Sequence, residues 1–390
     1  MYSSDLTSAW GVAKLTGLST TARWGYTVMS DSSGVKYMIL GNGVQAYKTT
    51  DAISFTDVTG DPLGKYYATL YQRVYAAGVP ADPDILHWSS IGDLTNWSSV
   101  APNDSDSTSI DKYSKGNIKG IITANDRVVI YKDRTMKTWD GEYLLTPKCS
   151  DGLCAPYSLS EILGLVFSLG TDALYLFDGT MPKPISTPIE DIVNNIDRSA
   201  SNIERICGVG FKKKYCLSIG DVTDDDGTVI RNCWIVYDMF NDAFFLYSLG
   251  VQATAMCKFI NTTNGSEDLY FGDSTGTVFK MFQGDQDDGD DIEMRLRSHK
   301  IYPGGTSVAK EPDMLTIVAD PADGLIATLI ADETRKEPVE VATKHVTNAL
   351  IGKLGENNKC FELDITHVGK GRPRLYGWEL TVGNLGEDRV

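Results

Sequence analysis

The chain has 390 residues, of which 42% are hydrophobic, 10% aromatic and 23% charged, a globular balance that argues against overall disorder. Its formal net charge of −16 argues against wrapping a nucleic-acid backbone, which requires a basic patch or stripe. The N-terminus lacks a basic segment followed by an apolar core, and the longest apolar stretch, Ile162 to Phe167, is too short to span a bilayer. A soluble protein made in a cytosol, with no membrane-spanning segment, is the expectation.

In chain order, residues 1 to 23 are polar, with Trp10, Leu15 and Leu18 as anchors, and form a candidate strand for closing a repeat domain. A strand–turn–strand unit then recurs about every 35 to 60 residues, each copy with an aromatic or β-branched strand, a turn rich in Gly, Asn or Asp, and a second strand. The copies start at Tyr37, Arg73, Arg127, Ala173, Cys233 and Leu269. The sharpest is Arg127 to Gly141, where Val128-Val129-Ile130-Tyr131 meets Lys132-Asp133-Arg134 and returns through Met136 to Trp139, a β-hairpin pattern. A period of about 45 residues in an all-β chain predicts blades, and residues 1–290 read as a β-propeller of about six blades. A sandwich, or a pair of them, is the competing arrangement, because its strands also recur at short spacing.

Between the copies, Asn103 to Ser109 lacks apolar residues and reads as a solvent-facing linker. Ile189, Ile192, Val193 and Ile196 have helical spacing and predict a single helix within 188–206. The acidic run from Gly284 to Asp291 ends the repeats as the best domain boundary, since a charge run cannot bury itself. From 291 to 390 the β runs lose the repeat pattern and predict a small C-terminal β-sandwich.

Candidate chemistry is sparse. The four histidines, His87, His299, His345 and His367, are scattered, and no metalloprotease, nucleophile-elbow or phosphate-loop motif occurs. No catalytic, cofactor-binding or metal residue is assigned, no cofactor is expected, and the chain reads as a non-enzyme. Asp221–Asp226 and Asp285–Asp291 offer hard oxygen ligands for calcium but read as solvated turns. Cys149 and Cys154 are the close pair among seven cysteines, with a disulfide as the alternative to free thiols. Two segments, Asp273 to Phe279 and Ser90 to Trp97, loosely echo the Asp-box turn of glycosidase propellers without its full spacing. Trp88, Trp97, Trp139 and Trp234 are expected to pack between blades rather than form sugar platforms.

The phrase from His87 to Trp97, followed by Ile118 to Ile122, Arg127 to Lys132 and Met136 to Trp139, resembles the propeller proteins of tailed-bacteriophage short tails, described as tail nozzles, tail hubs or packaged-DNA stabilisation proteins. Gly369 to Leu380 is similar to the last hairpin of such chains. The matched phrases cover about a fifth of the chain, and the chain starts almost at the first blade where longer members carry a preceding segment. The resemblance implies a virion structural protein of the tail, assembled in the host cytoplasm. It would form a homo-oligomeric ring, expected to be a hexamer, below the portal and against adaptor and other tail proteins. That ring would retain packaged double-stranded DNA and let it exit without sequence-specific binding. The alternative from a different class is a carbohydrate-binding or glycosidase-type propeller that recognises a bacterial surface glycan; a scaffold without viral role is the third.

Overall fold

In the computed structural model the described residues are 17–19, 22–58, 60–111, 116–147, 151–224, 227–261, 265–283, 286–287, 290–303, 305, 310–320, 324–332, 334–341, 345–350, 358–368 and 374–384. The fold is all-β, built from small antiparallel sheets, and its contacts divide into two compact units, Met1–Met281 and Phe282–Val390.

In the first unit every sheet is a meander of consecutive strands. The first sheet runs Gly25–Ser30, Lys36–Gly41, Ala46–Thr49 and Thr56–Asp57; the second Tyr66–Leu70, Arg73–Ala77, Ile85–Trp88 and Asp106–Ser109. The third runs Ile118–Ala124, Arg127–Lys132, Met136–Trp139 and Leu144–Leu145; the fourth Ser160–Ile162, Leu165–Leu169, Leu174–Phe177 and Pro182–Pro184. The fifth runs Cys207–Phe211, Lys214–Thr223, Val229–Asp238 and Ala243–Tyr247, and the sixth Ala255–Ile260, Glu267–Gly272 and Val278–Met281. The first strand of each sheet packs beside the first strand of the next.

The second to fifth sheets bury both faces, which is why their central strands read as continuous apolar runs rather than alternating ones. Tyr67, Val74 and Ala76 turn toward Met29 and Ile39 of the first sheet, while their sequence neighbours Ala68, Tyr75 and Ala77 turn toward Ile118, Val128 and Ile130 of the third. Val129 and Tyr131 then meet Val166 and Phe177 of the fourth sheet. Phe167 meets Tyr215, Leu217 and Ile235 of the fifth, whose Cys216, Trp234 and Val236 meet Leu269 and Phe271 of the sixth.

Two local expectations change. Asp106–Ser109 is the fourth strand of the second sheet, with His87 opposite Ser107, rather than part of a linker. An outermost strand faces solvent, so it forms on backbone hydrogen bonds without apolar residues. The single helix across 188–206 is two short ones, Glu190–Asn194 and Ala200–Ile203. Arg198 ends the first by donating to the carbonyls of Val193, Asn194 and Ile196. Ile189, Ile192, Val193 and Ile196 are nonetheless all buried in the core between the fourth and fifth sheets.

Among the described residues the second unit has a two-stranded ribbon that pairs Gln286–Asp287 with Asp290–Asp291, and two larger sheets. One orders Glu293–Arg297, Phe361–Val368, Leu325–Ala331 and Thr334–Glu340; the other orders Val346–Leu350, Lys310–Ala319 and Leu375–Asn384. Leu315 and Ile317 from the second meet Ala327, Leu329, Phe361, Leu363 and Ile365 from the first across one apolar core. Arg295 grips Asp364 through two hydrogen bonds of 3.0 and 3.1 Å, and Arg297 donates to Glu362 at 2.7 Å.

Candidate functional site

The residues singled out in the sequence are mostly parts of the scaffold. Trp88 stacks on Trp139 with ring centroids 5.3 Å apart, Tyr75 lies 6.3 Å from Trp88, and Trp234 is buried edge-on to Phe271 at 5.2 Å. Trp97 donates its indole N–H to the Leu94 carbonyl at 2.9 Å, and both side chains pack on the core between the first two sheets. The segment Ser90 to Trp97 is therefore a wedge. Arg73 pins the excursion that carries it, donating to the Ser89 and Asp104 carbonyls at 2.9 and 2.7 Å and pairing with the Asp104 carboxylate at 2.7 Å.

The histidines stay apart: His87 lies in the first unit and the others in the second. Burial holds the His87 imidazole below its usual range despite the opposing pull of Asp82. His367 is buried, and His345 sits 3.3 Å from Asp320. No group of three or more His, Cys, Asp or Glu side chains among the described residues is arranged to hold a metal. Asp221 and Asp224 accept from the backbone N–H groups of Asn232 and Thr228, while 225–226, 285 and 288–289 lie outside the described residues. Cys149, and with it the Cys149–Cys154 pair, also lies outside them. Cys207, Cys216 and Cys233 are buried free thiols that burial pushes up to about 11, 12 and 12.

The turns of the first unit carry a pattern that the sequence reading missed. From the first to the second strand of sheets two to five, the connection is a pair of residues with positive φ: Tyr71-Gln72, Asn125-Asp126, Leu163-Gly164 and Lys212-Lys213. That geometry matches the right-handed twist of tight hairpins. From the third to the fourth strand of sheets one to five, an aspartate caps the turn by accepting backbone N–H bonds. Asp51 accepts from Ile53, Asp93 from Thr95, Asp140 from Tyr143, Asp178 from Thr180 and Asp238 from Phe240. Asp273 uses the same device between the second and third strands of the sixth sheet, accepting from Thr275 and Thr277 at 2.9 Å each, so the Asp-box echo there is a folding turn. Backbone hydrogen bonds hold the Asp51 and Asp140 carboxyls below the usual range, and Lys183 with Thr180 does the same for Asp178. These carboxylates therefore stay charged near neutral pH.

Both sets of turns fall at the same end of each meander, and hydrogen bonds stitch that end together. Ser32 N–H donates to the Gly92 carbonyl at 3.2 Å, Gly92 N–H to Gln72 at 2.8 Å, the Tyr71 hydroxyl to the Asp126 carbonyl at 3.3 Å, and the Asn125 amide to Gly164 at 2.8 Å. Gly210 leaves no room for a Cβ against Ile162, which sets the first turn of the fifth sheet beside that of the fourth. Lys212 N–H reaches Glu267 of the sixth sheet at 3.3 Å. A cleft of about 300 Å³ opens on this face between Asn125, Arg127, Phe177 and Asp178.

The first strands meet at a second cluster. The Arg23 guanidinium lies 3.7 Å from the centroid of the Tyr157 ring and donates to the Glu204 carbonyl at 2.7 Å, while Tyr66 sits 6.3 Å from Tyr157. Desolvation, with a smaller contribution from Cys257 on the first strand of the sixth sheet, raises the phenol of Tyr26 on the first strand of the first sheet.

No family model and no curated protein matches the sequence. Among solved structures the chain is similar to an exo-β-1,3-galactanase from Phanerochaete chrysosporium with galactose, at 8% identity, covering 92% of this chain and 95% of that one, with a TM-score of 0.28. It is similar to the AfRom2 CNH domain at 8% identity, covering 67% of this chain and 96% of that one, with a TM-score of 0.31. The extracellular domain of the putative one component system BT4673 from B. thetaiotaomicron has 9% identity and a TM-score of 0.39, covering 86% of this chain and 47% of that one. Likenesses this distant leave function to the geometry of the chain itself.

Proposed function

We propose that the chain is a non-enzymatic virion structural protein of a bacteriophage tail, a six-bladed β-propeller followed by a β-sandwich, which works as a homo-oligomeric ring below the portal. Each sheet of the first unit is a blade in this reading. Closure of the sixth blade beside the first is supported by Arg23, which lies just before the first strand and reaches the Glu204 carbonyl just before the fifth sheet. The ring retains packaged DNA and provides its exit, and a net charge of −16 repels phosphate instead of holding it.

The observation that carries the reading is where the phage-like phrase lies. Its aromatic and apolar residues, Trp88, Leu94, Trp97 and Trp139, all wedge consecutive blades together. Within the first unit the resemblance falls on inter-blade wedges and is one of scaffold, and scaffolds of this kind supply rigid discs with two loop-bearing faces.

Negative-stain imaging of the purified protein, with its mass determined in the same buffer, tests the proposal. Closed rings of about six subunits around a channel are expected. A monomer that a portal complex fails to assemble into a ring refutes the tail role, and selective retention of a sugar on a glycan array would move the chain to the carbohydrate-binding class.

A further inference from the structure

Apolar clusters join the sheets of the first unit in chain order. Ile39 and Val74 join the first to the second, Tyr75 and Ile130 the second to the third, and Val129 and Phe177 the third to the fourth. Phe167 and Leu217 join the fourth to the fifth, and Trp234 and Phe271 the fifth to the sixth. Among the described residues no such cluster joins the sixth sheet to the first.

The two sheet faces left over carry apolar side chains that stay in solvent. In the first sheet Met29 and Thr27 turn toward the second, where the Thr27 and Thr69 hydroxyls lie 2.9 Å apart. Strand alternation turns Tyr26 and Val28 the other way, and they are 59% and 51% exposed. In the sixth sheet Leu269 and Phe271 turn toward the fifth, whereas Cys257, Phe259 and Val278 lie on the opposite face and are exposed. Local opening costs least where the least apolar area is buried, so this seam is the first to part.

One contact crosses the series of sheets instead of running along it. Just before the first strand, the Arg23 guanidinium lies 3.7 Å from the ring centroid of Tyr157, in the short helix Pro156–Ser158 ahead of the fourth sheet. The same group donates to the Glu204 carbonyl at 2.7 Å, ahead of the fifth. A cation on an aromatic face, with a charge-assisted hydrogen bond beside it, ties the first sheet to the fourth and fifth.

We infer that the first unit opens and recloses at the seam between the sixth and first sheets, and that Arg23 is the strap that biases it closed. The inference rests on the six-bladed reading above, in which these two sheets are neighbours. A partner that binds only the closed form is coupled to the strap, because whatever loosens the strap lowers the population it can bind.

Hydrogen exchange of the full chain, read by mass spectrometry, tests it. Peptides over Gly25–Ser30 and Ala255–Ile260 should exchange at least ~10-fold faster than those over Tyr66–Leu70 and Ile118–Ala124, the first strands of the second and third sheets. Arg23→Ala should speed the two seam strands a further ~10-fold and leave Ile118–Ala124 unchanged. Tyr26→Cys, joined to the native Cys257 by a short bis-maleimide, closes the seam covalently and should slow both seam strands to the rate of the third sheet, with or without Arg23. The joined and unjoined forms of Tyr26→Cys decide the matter even where Arg23→Ala fails to fold. Equal exchange in all four strands, or seam strands that stay fast once joined, overturns the opening and leaves the closed disc standing. Absence of any crosslink between positions 26 and 257 overturns the six-bladed closure and the opening with it.

Discussion

Trp88 of the second sheet and Trp139 of the third lie with their ring planes 27° apart and centroids 5.3 Å apart, and so join two sheets through one stacked pair. Trp139 is buried. Trp139→Ala should destabilise the first unit by about 3–5 kcal/mol, through lost burial and the cavity left behind. Trp88→Ala should cost less, because Trp88 is half-buried. A double-mutant cycle by denaturant unfolding should return a coupling of about 0.5–1.5 kcal/mol; zero coupling would mean that the stack contributes only area.

Asp61, between the first two sheets, has a carboxyl that burial pushes up to about 6, although it accepts from Leu63 N–H and from the Tyr67 hydroxyl at 3.1 Å. Its folded pKa lies above the unfolded one, so the folded state binds the proton more tightly. Its stabilising contribution is present below about pH 4 and is lost as pH rises through about 6. Asp61→Asn keeps an acceptor and removes the charge. The variant should gain on the order of 1–3 kcal/mol over the parent at pH 7 and little at pH 4, read as the difference between the two unfolding curves. An equal difference at both pH values would show that the carboxylate is not desolvated.

A Cβ on Gly25 would strike the Lys65 carbonyl oxygen, a backbone atom that cannot step aside, where the first strands of two sheets meet. Gly250 has nothing within 4 Å of its Cβ position. Gly25→Ala should lower the melting temperature by several degrees or prevent soluble expression, whereas Gly250→Ala should be near neutral. Comparable melting temperatures for the two would refute so tight an approach of the sheets.

Cys257 is exposed, whereas Cys207, Cys216 and Cys233 are buried thiols with raised pKa values. A maleimide should label Cys257 in the native protein within minutes and reach the other three only on unfolding, as peptide mass spectrometry would record. Native labelling of Cys216 would contradict the packing between the fifth and sixth sheets.

Strands were legible because composition and alternation survive in any tertiary setting. The hairpin at Arg127 to Gly141 folds as read, with Val128 opposite Trp139 and Tyr131 opposite Met136. The rest depended on context that local sequence does not carry. Tyr71-Gln72 and Lys212-Lys213 contain neither Gly nor Asn, yet all four residues have positive φ, because strand pairing on both sides and, at Tyr71, a hydroxyl bond to Asp126 hold the turn. The break between the short helices was hidden because apolar spacing reports the buried face and not the Arg198 side chain that competes for the last carbonyls. For the candidate site, the histidines and acidic clusters drew the eye by chemical type. The turn face was missed although its signal, an aspartate just past the third strand of sheet after sheet, was in the sequence.

The bond from Arg23 to the Glu204 carbonyl spans 181 positions of chain, whereas every sheet of the first unit is complete within a few tens of residues. During synthesis the sheets are therefore expected to form one by one behind the ribosome, each paying a small loop-closure entropy. Arg23 finds its partner only after four sheets have stacked in register. A nascent chain halted before residue 204 would hold that guanidinium without its carbonyl. The early residues thus act as a late latch that distinguishes a finished stack from a partial one.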